Sequence, residues 1–307
     1  MSSRGWSISD VPDQTGRVVI VTGSTSGLGL ETARVLAVRG SRVLIAARSE
    51  VKARRVMSEL EQGYPSAQFE FHQLDLSSLA SVRGFAESFL ERERALHLLI
   101  NNAGIMMVPY GETSDGNELQ FGTNHLGHFA LTGLLLPALE RASVSRVVTV
   151  SSIAHEDGDV DFDDLQFGRG RGYSPMRAYR RSKLANLLFA LELDRRLDAA
   201  SASTISVAAH PGVSDSSLAD HLVDNRWGRL LRPIASRVLQ DTAQGALPTL
   251  RAATDPGVHG GQYFGPAHLR ETRGRPVLAR PSSLARDPDA GRRLWDVSES
   301  LTGVRFP

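Results

Sequence analysis

The stretch Val18-Val19-Ile20-Val21-Thr22-Gly23-Ser24-Thr25-Ser26-Gly27-Leu28-Gly29 limits the folds open to this chain more than any other. It opens with a β-branched run, the mark of a strand buried on both faces. It then turns through three glycines into a segment that reads as a helix. Gly23 permits a tight turn that a side chain would block. Gly27 and Gly29 let the backbone approach a ligand and let the helix pack on the strand. The free N–H groups of the new helix and its dipole both favour negative charge, which suits a phosphate or pyrophosphate. A glycine-rich turn alone is weak evidence. Strand before, helix after and a position near the N-terminus raise it to a dinucleotide-binding turn.

The rest of the chain is consistent with one α/β domain of the doubly wound Rossmann type, residues 1–307, with a mainly parallel sheet flanked by helices. Strands are expected at 17–22, 41–48, 67–73, 97–100, 146–152, 204–209 and 261–266, the last of these short. Helices are expected at 27–39, 50–61, 119–139, 175–198, 242–253 and 287–301. No repeat or low-complexity linker divides this alternation. Gly40 ends the first helix, and Pro137 is expected to kink or finish the long apolar one. Ser114, Asp115 and Glu118 read as that helix's start, with capping-box spacing. Residues 213–240 are amphipathic and irregular and are read as a candidate lid over a substrate pocket.

Composition narrows the function. The chain has 307 residues, 41% hydrophobic, with a formal net charge of +1, so bulk charge points to no nucleic acid or acidic membrane. It has no cysteine, which removes disulfides, thiol catalysis and thiolate metal sites. Residues 1–14 have no apolar core and do not read as a signal peptide, and no segment reads as a membrane span. The expected setting is cytoplasmic.

The ends of the strands carry the polar candidates. After the second strand come Ala47 and Arg48, with no acid until Glu50. An acid there would bind the 2′-hydroxyl of NAD, whereas a base accepts the 2′-phosphate of NADP, so electrostatics favour NADP with NAD still possible. Asp75, followed by Leu76, either accepts a hydrogen bond from an adenine amino group or caps the helix beginning near Ser77 or Ser78. Asn101-Asn102-Ala103-Gly104 leaves room for a cofactor and supplies fixed donors and acceptors. Asn124 interrupts an apolar helix and is costly there unless its amide is bonded. His125 and His128 have no metal-ligand company and read as packed or capped residues; no metal site is expected. Ser151 and Ser152 end the fifth strand. The long acidic stretch from His155 to Tyr173 is of a length that commonly carries function. Tyr179 and Lys183 lie four apart on a helix and share a face.

In this order, Thr22 to Gly29, Asn101 to Gly104, Asn124, Ser152, Tyr179 with Lys183, and Pro211-Gly212 resemble the short-chain dehydrogenase/reductase family over nearly the whole chain. Asn124 to Phe129 and Ala178 to Asn186 also resemble its retinol dehydrogenase-like branch. The resemblance implies an oxidoreductase that moves a hydride between a nicotinamide and a carbonyl or alcohol. The implied catalytic residues are Asn124, Ser152, Tyr179 and Lys183. In reduction, Tyr179 protonates the carbonyl oxygen, Ser152 orients it, and NADPH delivers hydride to the carbonyl carbon. Lys183 binds the nicotinamide ribose, and Asn124 holds a water linking Lys183 to solvent. A free tyrosine pKa of about 10 is too high for a base, and the Lys183 ammonium is expected to favour the phenolate.

The implied cofactor contacts are Gly23, Ser24, Ser26, Gly27, Leu28, Gly29, Arg48, Asp75, Leu76, Asn102, Ala103, Gly104, Tyr179, Lys183, Pro211, Gly212 and Ser216. Ser216 stands where the family usually has a threonine, with Ser214 and Ser217 as rivals. The apolar character of the candidate lid favours a lipophilic substrate, and the family's habit is a homodimer or homotetramer. The alternative is a cofactor-binding sensor or scaffold without turnover; an epimerase or lyase would need a larger substrate domain than 213–307 offers.

Overall fold

A computed structural model describes residues 5–213 and 241–307. The candidate lid beyond Val213, with Ser214, Ser216 and Ser217, lies outside the described residues.

β1 (Val18–Thr22) is β-branched and buried from Val19 onward. It lies in parallel between β2 (Arg42–Ala47) and β4 (Leu98–Asn101), with Ile20 opposite Leu44 on one side and Leu99 on the other. β3 (Gln68–Gln73), β5 (Ser145–Val150), β6 (Thr204–Ala209), β7 (Tyr263–His268) and β8 (Arg273–Leu278) complete an eight-stranded sheet. Its order is β3-β2-β1-β4-β5-β6-β7-β8. The chain therefore winds one way from β1 and the other way from β4. A crevice opens at the carboxyl ends of these two strands, where ligands collect in such sheets.

Period-2 alternation sorts the strand residues onto two cores. Val19, Val21, Val43 and Ile45 face α1 (Gly27–Val38), α2 (Glu50–Gly63) and α7 (Thr242–Thr254). Ile20, Leu44 and Leu99 face α3 (Leu79–Arg92), α5 (Gly127–Glu140), α6 (Pro175–Ala199) and α8 (Pro288–Thr302). Both sheet faces are dry, which is why the central strands read as continuous apolar runs.

Four sequence expectations change. Tyr263–His268 is not the last strand: β8 returns antiparallel beside it. In β8 only Pro276 is buried, so this edge strand has no apolar alternation to betray it. The helix containing Asn124 begins under Glu118, whose carboxylate accepts from the N–H groups of Gln120 and Phe121. Asp115 instead reaches across to accept from Leu79 N–H at the start of α3, 2.8 Å away. Pro137 does not end the run there; α5 continues to Glu140, at the cost of the one i→i−4 bond that proline cannot donate. The run is also not uniform. A three-residue turn, α4 (Leu119–Phe121), leads into a π-helical turn at Gly122–Leu126 before α5 begins.

Candidate active site

Gly23 has φ +66° and Gly27 φ +55°, both in the left-handed region that favours glycine. A Cβ on Gly23 would fall 2.9 Å from Ala103 Cα, and one on Gly29 would fall 2.6 Å from the Gly23 carbonyl oxygen and collide with the Asn102 amide. The glycines thus press α1 against the β4 exit. The residue before α1, Ser26, makes no side-chain cap. Uncapped first-turn N–H groups above a cradle that a single Cβ would fill suit a pyrophosphate.

Thr22 fastens this cradle. Its hydroxyl accepts from the N–H groups of Asn102 and Ala103, each at 2.9 Å. His128 Nδ1 faces the Asn124 carbonyl at 2.9 Å and so carries the ring proton, leaving Nε2 to accept from Thr22 Oγ1 at 2.9 Å. A continuous chain of hydrogen bonds therefore ties the dinucleotide turn to the helix bearing Asn124. Nothing in the sequence signals the pairing of Thr22 with His128, because the two meet only through the fold. Asn102 Nδ2 donates to the Thr22 carbonyl. The Ser24 hydroxyl turns inward to the Val21 carbonyl at 2.7 Å, so this residue offers the crevice its backbone.

At the β2 and β3 ends, Arg48 is exposed, with no ion-pair partner among the described residues. Asp75 does not cap α3. Ser78 does, accepting from Ser81 N–H, while Asp75 Oδ1 closes a turn on Ser77. Leu76 is buried beneath Gly127, whose Cβ would collide with the Leu76 carbonyl.

Two of the predicted quartet, Asn124 and Lys183, meet at Gly104. Its missing Cβ would lie 3.3 Å from Asn124 Oδ1 and 3.4 Å from Lys183 Nζ. Asn124, fully buried in the π turn, is satisfied on every side: Oδ1 accepts from Ile105 N–H, and Nδ2 donates to the Ile105 carbonyl and to Ser182 Oγ. Ser182 in turn donates to the Tyr179 carbonyl. π turns recur at functional sites because they expose or re-aim a side chain within a helix. Lys183 Nζ donates to the Val150 carbonyl at 3.1 Å and lies 5.8 Å from the centre of the Tyr179 ring.

The two serines divide their work. The Ser151 hydroxyl is buried and donates to the Lys183 carbonyl at 2.7 Å. The Ser152 hydroxyl accepts from Ala154 N–H and lies near enough to the Tyr179 phenol to favour its ionised form. Burial pushes the Lys183 ammonium down to about 8. Burial also pushes the Tyr179 phenol up, with the nearby Ser152 hydroxyl offsetting part of the rise. The expected lowering by Lys183 does not appear: the group that opposes desolvation is Ser152.

Two further residues support the site without any local sequence signal. His155 Nδ1–H donates to the Ser152 carbonyl at 2.7 Å, and its Nε2 accepts from Ser282 N–H. Arg181, between Tyr179 and Lys183 in sequence, is 1% exposed. It holds the acidic insertion through Asp159 Oδ1 and the Asp164 carbonyl, and stacks 4.1 Å over Phe167. Among the described residues no cluster of histidines and carboxylates could hold a metal ion, and no helix is long and apolar enough to cross a membrane.

A dinucleotide cradle opening onto a half-buried tyrosine and a buried lysine is an arrangement for moving a hydride between a nicotinamide and a small molecule. The class is that of the NAD(P)-dependent dehydrogenases and reductases. Residues 17–162 match the family described as short chain dehydrogenase. The chain belongs to that family, in its retinol dehydrogenase-like branch. It is 43% identical to human retinol dehydrogenase 11 (Homo sapiens), covering 94% of this chain and 86% of the relative. It is 44% identical to mouse polyprenol dehydrogenase (Mus musculus), covering 96% and 86%. A solved structure from Mycobacterium paratuberculosis, described as a putative uncharacterized protein, is 42% identical, with a TM-score of 0.82 over 99% of this chain and 100% of its own.

Proposed function

We propose that this enzyme interconverts a lipophilic carbonyl compound and its alcohol using NADP(H). The observation that carries the chemistry is one cluster of four side chains: Asn124 and Lys183 at Gly104, Tyr179 beside Lys183, and Ser152 near the Tyr179 phenol. The nicotinamide, when bound, supplies or takes up the hydride. Tyr179 Oη holds the proton that the carbonyl oxygen receives, and Ser152 Oγ holds that oxygen against it. Lys183 is fixed by the Val150 carbonyl beside the phenol, in reach of a ribose hydroxyl. Asn124 spends its amide on Ile105 and Ser182, so its part is to fix the π turn next to Lys183 and to seat any relay water there.

The exposed Arg48 at the end of β2, with no ion-pair partner among the described residues, supports NADP over NAD. Retinol and polyprenol, the compounds in the relatives' names, are both long apolar alcohols, which supports a lipophilic substrate. The cysteine-free chain supports a cytoplasmic setting, and the family's habit supports a homo-oligomer. The test is oxidation of NADPH and NADH against a panel of lipophilic and polar carbonyls. NADPH with lipophilic aldehydes or ketones is expected to turn over, and Tyr179→Phe is expected to lose about 10²–10⁴-fold in rate while still binding cofactor. Brisk turnover of sugars with NADH alone would overturn both assignments. Tight cofactor binding with no turnover on any compound would favour a sensor.

A further inference from the structure

Beside the quartet, at the end of β6, lies a polar assembly that the proposed chemistry does not use. His210 is fully buried. Its Nδ1 accepts from Gly212 N–H at 3.3 Å, so the ring proton sits on Nε2 and is donated to Glu271 Oε2 at 2.9 Å. The strand next door is shaped to receive this ring. A Cβ on Gly265 of β7 would collide with His210 Nε2, and Tyr263 packs against the imidazole with centroids 5.1 Å apart.

Glu271 belongs to the tip of the β7–β8 hairpin, where Leu269, Arg270 and Glu271 have φ of 51°, 53° and 61°. Three consecutive non-glycine residues in the left-handed region persist only where the surroundings hold them there. The same tip grips the chain just past His210. The Thr272 carbonyl accepts from Val213 N–H at 2.9 Å and approaches Gly212 so closely that a Cβ would collide with it. Gly212 itself has φ +74°. The exit of β6 is thus fixed at His210, Gly212 and Val213 by groups on the hairpin or on His210. The His210 N–H holds the Glu271 carboxyl below the usual carboxylate range.

We propose that His210 and Glu271 are positioning residues that lock the Pro211-Gly212-Val213 backbone in the shape the nicotinamide half of the cofactor needs. Neither is assigned to touch substrate. The inference rests on the reading above that Pro211 and Gly212 are cofactor contacts; the end of β6, whose Ala209 carbonyl accepts from Ser151 N–H at 2.8 Å, puts them on the nicotinamide side. A backbone clamp of this kind predicts a loss confined to one end of the ligand, because the glycine cradle that meets the pyrophosphate lies across the crevice on β1 and β4.

Titration calorimetry with two ligands separates the ends: NADP⁺, and 2′-phospho-ADP-ribose, which lacks the nicotinamide. Glu271→Ala is expected to weaken NADP⁺ about tenfold and to leave 2′-phospho-ADP-ribose within about twofold. Glu271→Gln, which keeps an oxygen to accept from His210, should recover most of the loss. If Glu271→Ala does not fold, Glu271→Asp, with its carboxylate drawn back, should show the same one-sided loss at smaller size. Equal losses for both ligands, or no loss for either, would overturn the clamp while leaving the enzyme reading intact. A wild-type chain that binds neither ligand would overturn the two together.

Discussion

At the β1–β4 side of the crevice the backbone is shaped by what is missing. Gly23 and Gly29 allow contacts that one methyl group would abolish, and the Thr22 hydroxyl merely pins the result. At the β6–β7 side it is shaped by what has been added: an imidazole, a carboxylate and a hairpin tip in an unfavourable conformation. The first kind of construction is closed by backbone against backbone, with His128 its one titratable link. The second is held by a proton shared between two side chains. A site assembled from both should fail differently at its two ends.

The largest effect should come from closing the cradle. Gly29→Ala places a methyl against backbone that cannot give way, the Gly23 carbonyl at 2.6 Å. Overpacking of this kind costs about 1–3 kcal/mol, and since the distorted atoms are the binding surface, cofactor affinity should fall about a hundredfold or more. Calorimetry reads it directly; near-normal binding would show that the β1–β4 side is more pliant than its geometry says.

Acid probes the one titratable link on that side. Burial pushes His128 down to about 4 and the neighbouring His125 down to about 3. Both are neutral in the folded protein while the unfolded chain takes up protons below about 6.5. Stability is therefore whole above that pH and lost as pH falls towards 4, with His128 alone accounting for about 3 kcal/mol across the window. Denaturant titrations at stepped pH should show the slope shrinking by about one proton in His128→Gln.

A smaller effect, with the same sign in pH but a stabilising substitution, is expected at Lys183. Its ammonium, 4% exposed, is lowered to about 8, so between about 8 and 10.5 the unfolded chain holds a proton the folded one has shed, and stability rises with pH. Lys183→Met removes that buried charge. At pH 7 it should raise stability by about 2 kcal/mol, seen as a higher melting temperature, while turnover is lost. The gain should vanish above the ordinary lysine range. A destabilised Lys183→Met would mean that the bond to the Val150 carbonyl outweighs the desolvation it offsets.

What could be read from the sequence follows the same division. β6 was legible to the residue, and the glycine turn and the Tyr179–Lys183 face were legible because each is a short-range pattern. The demand that Asn124 find amide partners was also legible, and Ile105 and Ser182 meet it. The π turn was not, since the run around it is buried on almost every side and has no polar face whose phase an extra residue would break. Asp115 and Asp75 show the ambiguity of acidic residues near helix starts: each has cap-like spacing, yet one serves a different helix and the other a local turn. His210 and Glu271 were invisible as a pair, because only the return of β8 brings them together. Its strand, Arg273–Leu278, carries no alternation of apolar residues.

The π turn at Gly122–Leu126 has a consequence in genetic terms. Its closing bond runs from Gly127 N–H to the Gly122 carbonyl, one residue longer than an α-helical bond. Deleting a single codon within it would restore an unbroken helix. The same deletion would rotate residues before the cut by about 100° relative to those after it. Cut after Asn124, this would pull Asn124 away from Ile105 and Ser182 while His128 stayed on Thr22. A more regular and better hydrogen-bonded helix is therefore one in-frame deletion away from the functional one, and only the demands of the site stand between them.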